Sequence, residues 1–182
     1  MHKKLKKYFF INNFDTKILN YQEKGTSIIY RNYQENKISH NSISKLRDFC
    51  KKKNLKLFIS NNFKLALNLK LDGAYIPSFN GSLSHLNFSI NKNFKVLGSA
   101  HNIYQIRTKE KQRVDEIFIS SLFKKNSNYL GFYPTKILSK KTKKQIILLG
   151  GISNKNVSLI KMLDCKGFAG ISYFTKKKAP IN

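Results

Sequence analysis

Residues 145–152 read Gln-Ile-Ile-Leu-Leu-Gly-Gly-Ile, an aliphatic run that stops at two glycines. An unbroken run of this length suits a strand buried on both faces of a parallel sheet. Gly150 and Gly151 let the backbone approach an anion closely, and Ser153 stands where the N-cap of a following helix belongs, so that N–H groups and helix dipole point the same way. The chemistry on offer is recognition of a phosphate by Gly150, Gly151 and Ile152. Taken alone, the same residues also suit a plain strand-to-helix turn that needs glycine. After one further helical stretch comes Gly-Phe-Ala-Gly-Ile-Ser-Tyr-Phe at 167–174, a second small-and-apolar strand that ends in a hydroxyl. From it, the Ser172 hydroxyl joins the candidate phosphate site. In (β/α)8 barrels the loops after the seventh and eighth strands commonly build such a site.

The elements that must position these residues follow from the hydrophobic pattern. Strands are expected at 8–11, 26–31, 55–59, 74–76, 94–97, 117–119 and 145–149, and within 167–174. Between them, 14–21 reads as an amphipathic helix ending at Gly25. The clearest helix is 42–53, with Ile43, Leu46, Phe49 and Cys50 on one face and lysines 51–53 in its last turn. Residues 63–70 read as a brief helix, 103–112 as a polar helix and 134–144 as a short one. Residues 79–92 form a loop with one helical turn, and 124–131 a polar loop. About eight strands alternate with connections long enough for crossovers, which is an α/β pattern, and eight units favour closure over an open doubly wound sheet. The expected fold is a single compact (β/α)8 TIM barrel, one domain over 1–182. Its last helix is truncated, because only residues 175–182 follow Phe174. Either the wall is open there or a second subunit covers it, which makes a homo-oligomer one expected arrangement.

Composition bounds the partners. The chain carries 35 Lys and Arg against 9 Asp and Glu, a formal net charge of +26, which by itself raises nucleic acid. The excess is mostly Lys and comes with abundant Asn, Ile, Phe and Tyr and no Trp, as an AT-rich coding sequence would produce. The basic residues are scattered along the helices, at 51–53, 109–113 and 140–144, with no nucleic-acid motif among them. A solvated lysine-rich exterior is expected, nucleic acid is not an expected partner, and the field draws phosphorylated small molecules. The apolar runs are far shorter than a membrane span, and basic residues 1–7 lead into only a few apolar ones. A soluble, cytoplasmic protein without a membrane partner is the expectation. Cys50 and Cys165 lack pairing or metal spacing and read as reduced thiols, and His2, His40 and His85 have no spaced ligand partner.

With the strands laid out, the chain resembles the thiamine phosphate synthase and thiazole tautomerase family of small barrels along most of its length. The likeness is one of pattern. Where the family's second strand carries Gln-x-Arg-x-Lys, this chain has Ile29-Tyr30-Arg31-Asn32-Tyr33, so Arg31 alone survives. The family's third strand ends in Asn-Asp before a helix with Leu-Ala; here stand Ser60-Asn61 and Leu65-Ala66. Its fourth has Gly-x-His-x-Gly with an Asp soon after, against Gly73-Ala74-Tyr75-Ile76-Pro77 leading to Asn80. Its fifth has Ile-Gly-x-Ser followed by Thr or His, matched loosely by Leu97-Gly98-Ser99-Ala100-His101. Its sixth follows an Asp, here Asp115, and ends in Gly-Pro-(apolar)-Phe, here Ser120-Ser121-Leu122-Phe123. The strongest matches are Gly150-Gly151-Ile152 and Gly167-x-Ala169-x-x-Ser172.

The resemblance implies a transferase that joins hydroxymethylpyrimidine diphosphate to thiazole phosphate and releases diphosphate. It assigns the thiazole phosphate to Gly150, Gly151, Ile152, Ala169 and Ser172. Arg31, Asn61 and Lys124, or Lys125 beside it, become the diphosphate group, and Arg31, His101 and Ser120 the catalytic candidates. The implied cofactor is Mg2+, to be held by Asn61 and Asn80. Both offer neutral amide oxygens where the family has carboxylates, and Mg2+ prefers hard anionic oxygens, so weak affinity is expected. Two other readings stay open. A tautomerase needs one general acid/base near neutral pH and no Mg2+, a role His101 suits. A non-catalytic protein would keep the phosphate grip alone.

Overall fold

The computed structural model describes residues 4–33 and 39–175. Eight parallel strands close into a barrel in chain order: β1 Lys6–Ile11, β2 Ser27–Tyr30, β3 Lys56–Ser60, β4 Gly73–Ile76, β5 Lys95–Ala100, β6 Glu116–Ile119, β7 Gln145–Leu149 and β8 Gly167–Gly170. Closure is made by β8 pairing with β1, in register from Lys6 opposite Gly167 to Phe9 opposite Gly170. The crossovers carry helices α1 Thr16–Asn20, α2 His40–Lys52, α3 Phe63–Asn68, α4 Ile103–Lys111 and α5 Phe132–Ser139; a short α6, Ser172–Thr175, follows β8. Two 3-10 segments, Ser84–Asn87 and Val157–Met162, complete the set. Among the described residues no helix is long and apolar enough to cross a membrane. The expected TIM barrel is thus the fold.

The barrel end differs from the sequence expectation in two places. Ser153 does not cap a long helix: its N–H donates to Asn156 Oδ1, and its carbonyl oxygen accepts from the N–H groups of Asn156 and Val157. The Asn-rich stretch 153–156 satisfies its own backbone as a turn, and only a 3-10 segment follows. The eighth strand is also half its expected length, because the chain turns at Ile171. Phe174 then folds back to stack on Phe9, with ring centroids 5.1 Å apart.

The strands alternate between two apolar layers. Tyr8, Phe10, Ile29, Phe58, Tyr75, Leu97, Phe118, Ile147 and Ala169 fill the barrel, while the opposite faces pack against the helices. Five of these nine are aromatic, so the interior is organised by ring edges: Tyr8 meets Phe118 at 4.9 Å, and Phe10 meets Tyr75 at 5.3 Å, both near perpendicular. So much ring volume requires small neighbours. A Cβ on Gly73 would lie 1.9 Å from the Lys95 carbonyl oxygen and 2.8 Å from the Phe58 ring. The N-terminal end of the barrel is closed by Glu116, which accepts from the Tyr8 hydroxyl at 2.6 Å and pairs with Lys6.

One lysine contradicts the solvated exterior expected for 109–113. Lys109 is fully buried, and its Nζ donates at 2.8 Å to the carbonyl oxygens of Pro77 and Asn80 and to Gln112 Oε1. Gln112 in turn donates to the carbonyl oxygens of Asn80 and Ser82, and its own carbonyl oxygen lies 2.8 Å from His85 Nε2. Burial pulls the Lys109 ammonium down to about 8. The three oxygens around it act the other way by favouring the charged form. Helix α4 thereby fastens the loop after β4. Lys109→Met keeps the volume but strands the Pro77 carbonyl oxygen and Gln112 Oε1 and leaves Asn80 with Gln112 alone, so it should cost about 2–4 kcal/mol in urea unfolding and speed hydrogen exchange across residues 77–85. An unchanged unfolding midpoint would contradict this role.

Candidate active site

The strand ends that follow the C-terminal side of the barrel gather most of the candidate residues. Arg31, one residue past β2, is half-buried. Its Cζ lies 4.7 Å from the Phe10 ring centroid and 5.8 Å from that of Tyr33. Among the described residues it forms no ion pair. Below it, burial pushes the Tyr75 phenol up to about 12, against the pull of its hydrogen bond to Ser99 and of Arg31. A cleft of about 460 Å³ opens here over β1, β2 and β8, lined among others by Asn12, Asp15, Arg31, Tyr33, Ile171 and Thr175. The Asp15 carboxylate is occupied in accepting from the N–H groups of Lys17 and Ile18 at the start of α1. Arg31 is thus a fixed cation facing open space.

The β3 and β4 ends meet through amides. Asn80 Nδ2 donates to Asn61 Oδ1 at 2.8 Å, while Asn80 Oδ1 accepts from the Ser82 N–H at 2.8 Å. Asn61 sits at φ 58°, a left-handed conformation that Asn tolerates. Among the described residues no carboxylate is hydrogen-bonded to this pair, and no cluster of three His, Cys, Asp or Glu side chains suits a metal. Asn61 has its oxygen engaged and its N–H donors left over, a poor match for Mg2+. Tyr33 adds its hydroxyl 3.4 Å from Ser60 Oγ.

The β5 and β6 ends bring His101 and Ser120 together. His101 Nδ1 lies 2.7 Å from the Ser120 carbonyl oxygen and 3.1 Å from its hydroxyl. A carbonyl can only accept, so Nδ1 is the donor, and in the neutral ring this leaves Nε2 as the acceptor. The backbone N–H of His101 donates to Gln105 Oε1 at 2.7 Å, which fixes the strand end that carries the ring. An imidazole held in one tautomer is able to move a proton.

The β7 and β8 ends are adjacent, as Leu149 pairs with Ala169. Gly150 and Gly151 have φ of 107° and 73°. The loop after β6 presses on them: a Cβ on Gly150 would lie 2.4 Å from Ser121 Oγ and 2.7 Å from Ser121 Cα, and one on Gly151 2.7 Å from the Lys124 nitrogen. The Gly150 carbonyl oxygen accepts from the N–H groups of Phe123 and Lys124, stitching the loop after β6 onto β7. These glycines therefore serve loop packing as well as any anion. The N–H groups of Gly151, Ile152, Ile171 and Ser172 find no acceptor among the described residues. Ala169 is fully buried inside the barrel, below the rim, and its side chain does not reach the mouth. Lys124 is exposed in the loop after β6, on the wall opposite β2, so it does not join Arg31 and Asn61 in one group.

Two mouth residues were not singled out as site residues from the sequence. Phe79 is 71% exposed and its ring lies 5.8 Å from that of Tyr33, itself 54% exposed. The signal was available only as one aromatic each in two loops.

Comparison with known proteins extends these observations. The family model described as thiamine monophosphate synthase matches residues 14–174. A relative from Aquifex aeolicus (strain VF5), named "Putative thiamine-phosphate synthase 2", is 32% identical over 135 residues, 71% of each chain. The thiamine-phosphate synthase of Clostridioides difficile (strain 630) is 26% identical over 137 residues, 72% of this chain and 65% of that one. Among solved structures, the thiamine phosphate pyrophosphorylase of Pyrococcus furiosus superposes with a TM-score of 0.73 over 93% of this chain and 87% of its own, at 16% identity. The YdjI aldolase of Escherichia coli K12 does so at 0.68 over 92% and 74%, at 13% identity, so the barrel itself is shared with other chemistry. The family match covers nearly all strands and does not rest on shape: the chain belongs to the thiamine monophosphate synthase family.

Proposed function

We propose that this protein is a transferase of thiamine biosynthesis that couples hydroxymethylpyrimidine diphosphate to thiazole phosphate. The observation that carries the reading is Arg31, a half-buried cation without a carboxylate partner among the described residues, standing at the end of β2 while the N–H groups that lack an acceptor there stand at the ends of β7 and β8. Coupling needs two anion sites, one for each phosphorylated substrate. A tautomerase or a simple phosphate binder needs one.

In this reading the thiazole phosphate is held by the N–H groups of Gly151, Ile152, Ile171 and Ser172, and the diphosphate by Arg31. The thiazole ring nitrogen forms a bond to the pyrimidine methylene carbon while that carbon's bond to diphosphate oxygen breaks. The electron pair leaves with the diphosphate, and the guanidinium stabilises the charge that collects there. A planar fork of donors suits two phosphate oxygens at once. The Phe10 ring keeps the guanidinium in place without neutralising it. His101 Nε2, without a partner among the described residues, stands at the end of β5, between β4 and β7 in the strand order, and supports a second reading as a proton-transfer group on thiazole phosphate.

Purified protein given both substrates should yield thiamine phosphate by mass. Arg31→Ala should lower coupling roughly a hundredfold or more while thiazole phosphate binding persists. His101→Gln should retain coupling. Absence of product, together with a tautomerisation that His101→Gln abolishes, would replace this reading by the tautomerase.

A further inference from the structure

The wall formed by the ends of β2, β3 and β4 is chemically uniform in an unexpected way. Among the described residues it presents a guanidinium, two aromatic rings and a donor amide, and no carboxylate. Tyr33 and Phe79 meet at 5.8 Å and 68°, an edge-to-face pair with both rings more than half exposed. Aromatic side chains this exposed next to a cleft leave ring faces open for a planar ligand. The Asn80 to Asn61 hydrogen bond uses the Asn61 oxygen, so that exposed Asn61 offers its N–H donors outward. A divalent cation is repelled by outward N–H groups and attracted by none of these residues, whereas a phosphate oxygen or a ring nitrogen accepts from them.

The loop that carries Phe79 and Asn80 is not free to rearrange into a metal site. Lys109 and Gln112 hold the Asn80 carbonyl oxygen from beneath, and Lys109 holds that of Pro77 as well. Its charge is fully buried beside this wall and is itself unfavourable for a cation nearby.

We infer that this wall is a metal-independent receptor for a phosphorylated planar heteroaromatic ring. Arg31 takes the phosphate, Phe79 with Tyr33 stacks the ring, and Asn61 Nδ2 donates to an acceptor on the ligand. The inference rests on the coupling reading above for its choice of ligand, a pyrimidine diphosphate, and differs from it in assigning the ring to Phe79 and Tyr33 and in excluding a role for Mg2+ in binding.

The test is calorimetry with hydroxymethylpyrimidine diphosphate and, separately, inorganic pyrophosphate, each in magnesium and in EDTA. Wild-type protein should bind the pyrimidine ligand equally well in both buffers. Phe79→Ala, a change at an exposed ring that the fold tolerates, should weaken the pyrimidine ligand roughly tenfold and leave pyrophosphate unaffected, as loss of one stacked ring predicts. Only the double variant Asn61→Asp with Asn80→Asp should bind more tightly when magnesium is added. Tenfold or greater tightening of the wild type by magnesium, equal affinity of Phe79→Ala and wild type, or no binding at all would overturn the inference. Failure of the coupling reading looks different: Phe79-dependent, metal-independent binding persists, yet no thiamine phosphate forms.

Discussion

The ring of Phe10 stands edge-on to Tyr75 and Phe118 inside the barrel, and the Arg31 guanidinium lies 4.7 Å from its centroid. Packing and chemistry meet at this contact. Arg31 is half-buried with no counter-charge among the described residues, and such a cation is costly to hold unless something compensates for lost water. The π-face of Phe10 does so without neutralising the charge. Tyr75 and Phe118 occupy the interior beside that ring and meet it edge-on, and the Phe58 ring in the same layer has room because position 73 is glycine. The distribution of large and small residues inside the barrel thus decides where the positive charge at its mouth stands.

Around that charge, neighbouring pairs of strands supply different groups. The β3 and β4 ends bring amides, the β5 and β6 ends an imidazole held by a carbonyl, and the β7 and β8 ends backbone N–H groups that have no acceptor among the described residues. Each is fixed by something beneath or beside it. Lys109 ties down the loop after β4, Gln105 holds the His101 strand end, and the Gly150 carbonyl fastens the loop after β6. Groups held in this way do not have to be ordered by the ligand, which lowers the cost of binding.

The fold was legible because each buried strand is an apolar run bounded by polar or glycine residues, and these runs recur eight times. The pairing of His101 with the sixth strand end was not, since 19 positions separate His101 from Ser120 and only closure of the barrel sets β5 against β6. Lys109 shows why composition misled. In a chain with so many lysines a buried one has no mark of its own, and its acceptors at 77 and 80 lie about thirty residues away. The glycines at 150 and 151 were found for a reason that is only partly theirs, because the backbone at 121–124 that crowds them is invisible in a local motif. Ser153 was misplaced by its neighbours: Asn156 offered its N–H a closer partner than any helix did.

The central claim is that the mouth holds two anions on separate walls with the reacting rings between them. A crystal of the protein soaked with thiamine phosphate tests it most directly, because the product keeps the thiazole phosphate and the pyrimidine ring in one molecule. The account predicts phosphate density against the N–H groups of Gly151, Ile152, Ile171 and Ser172, with the pyrimidine ring extending toward Tyr33 and Phe79 and Arg31 left free for a diphosphate. Phosphate density on Arg31, with the ring turned toward β7 and β8, would contradict it.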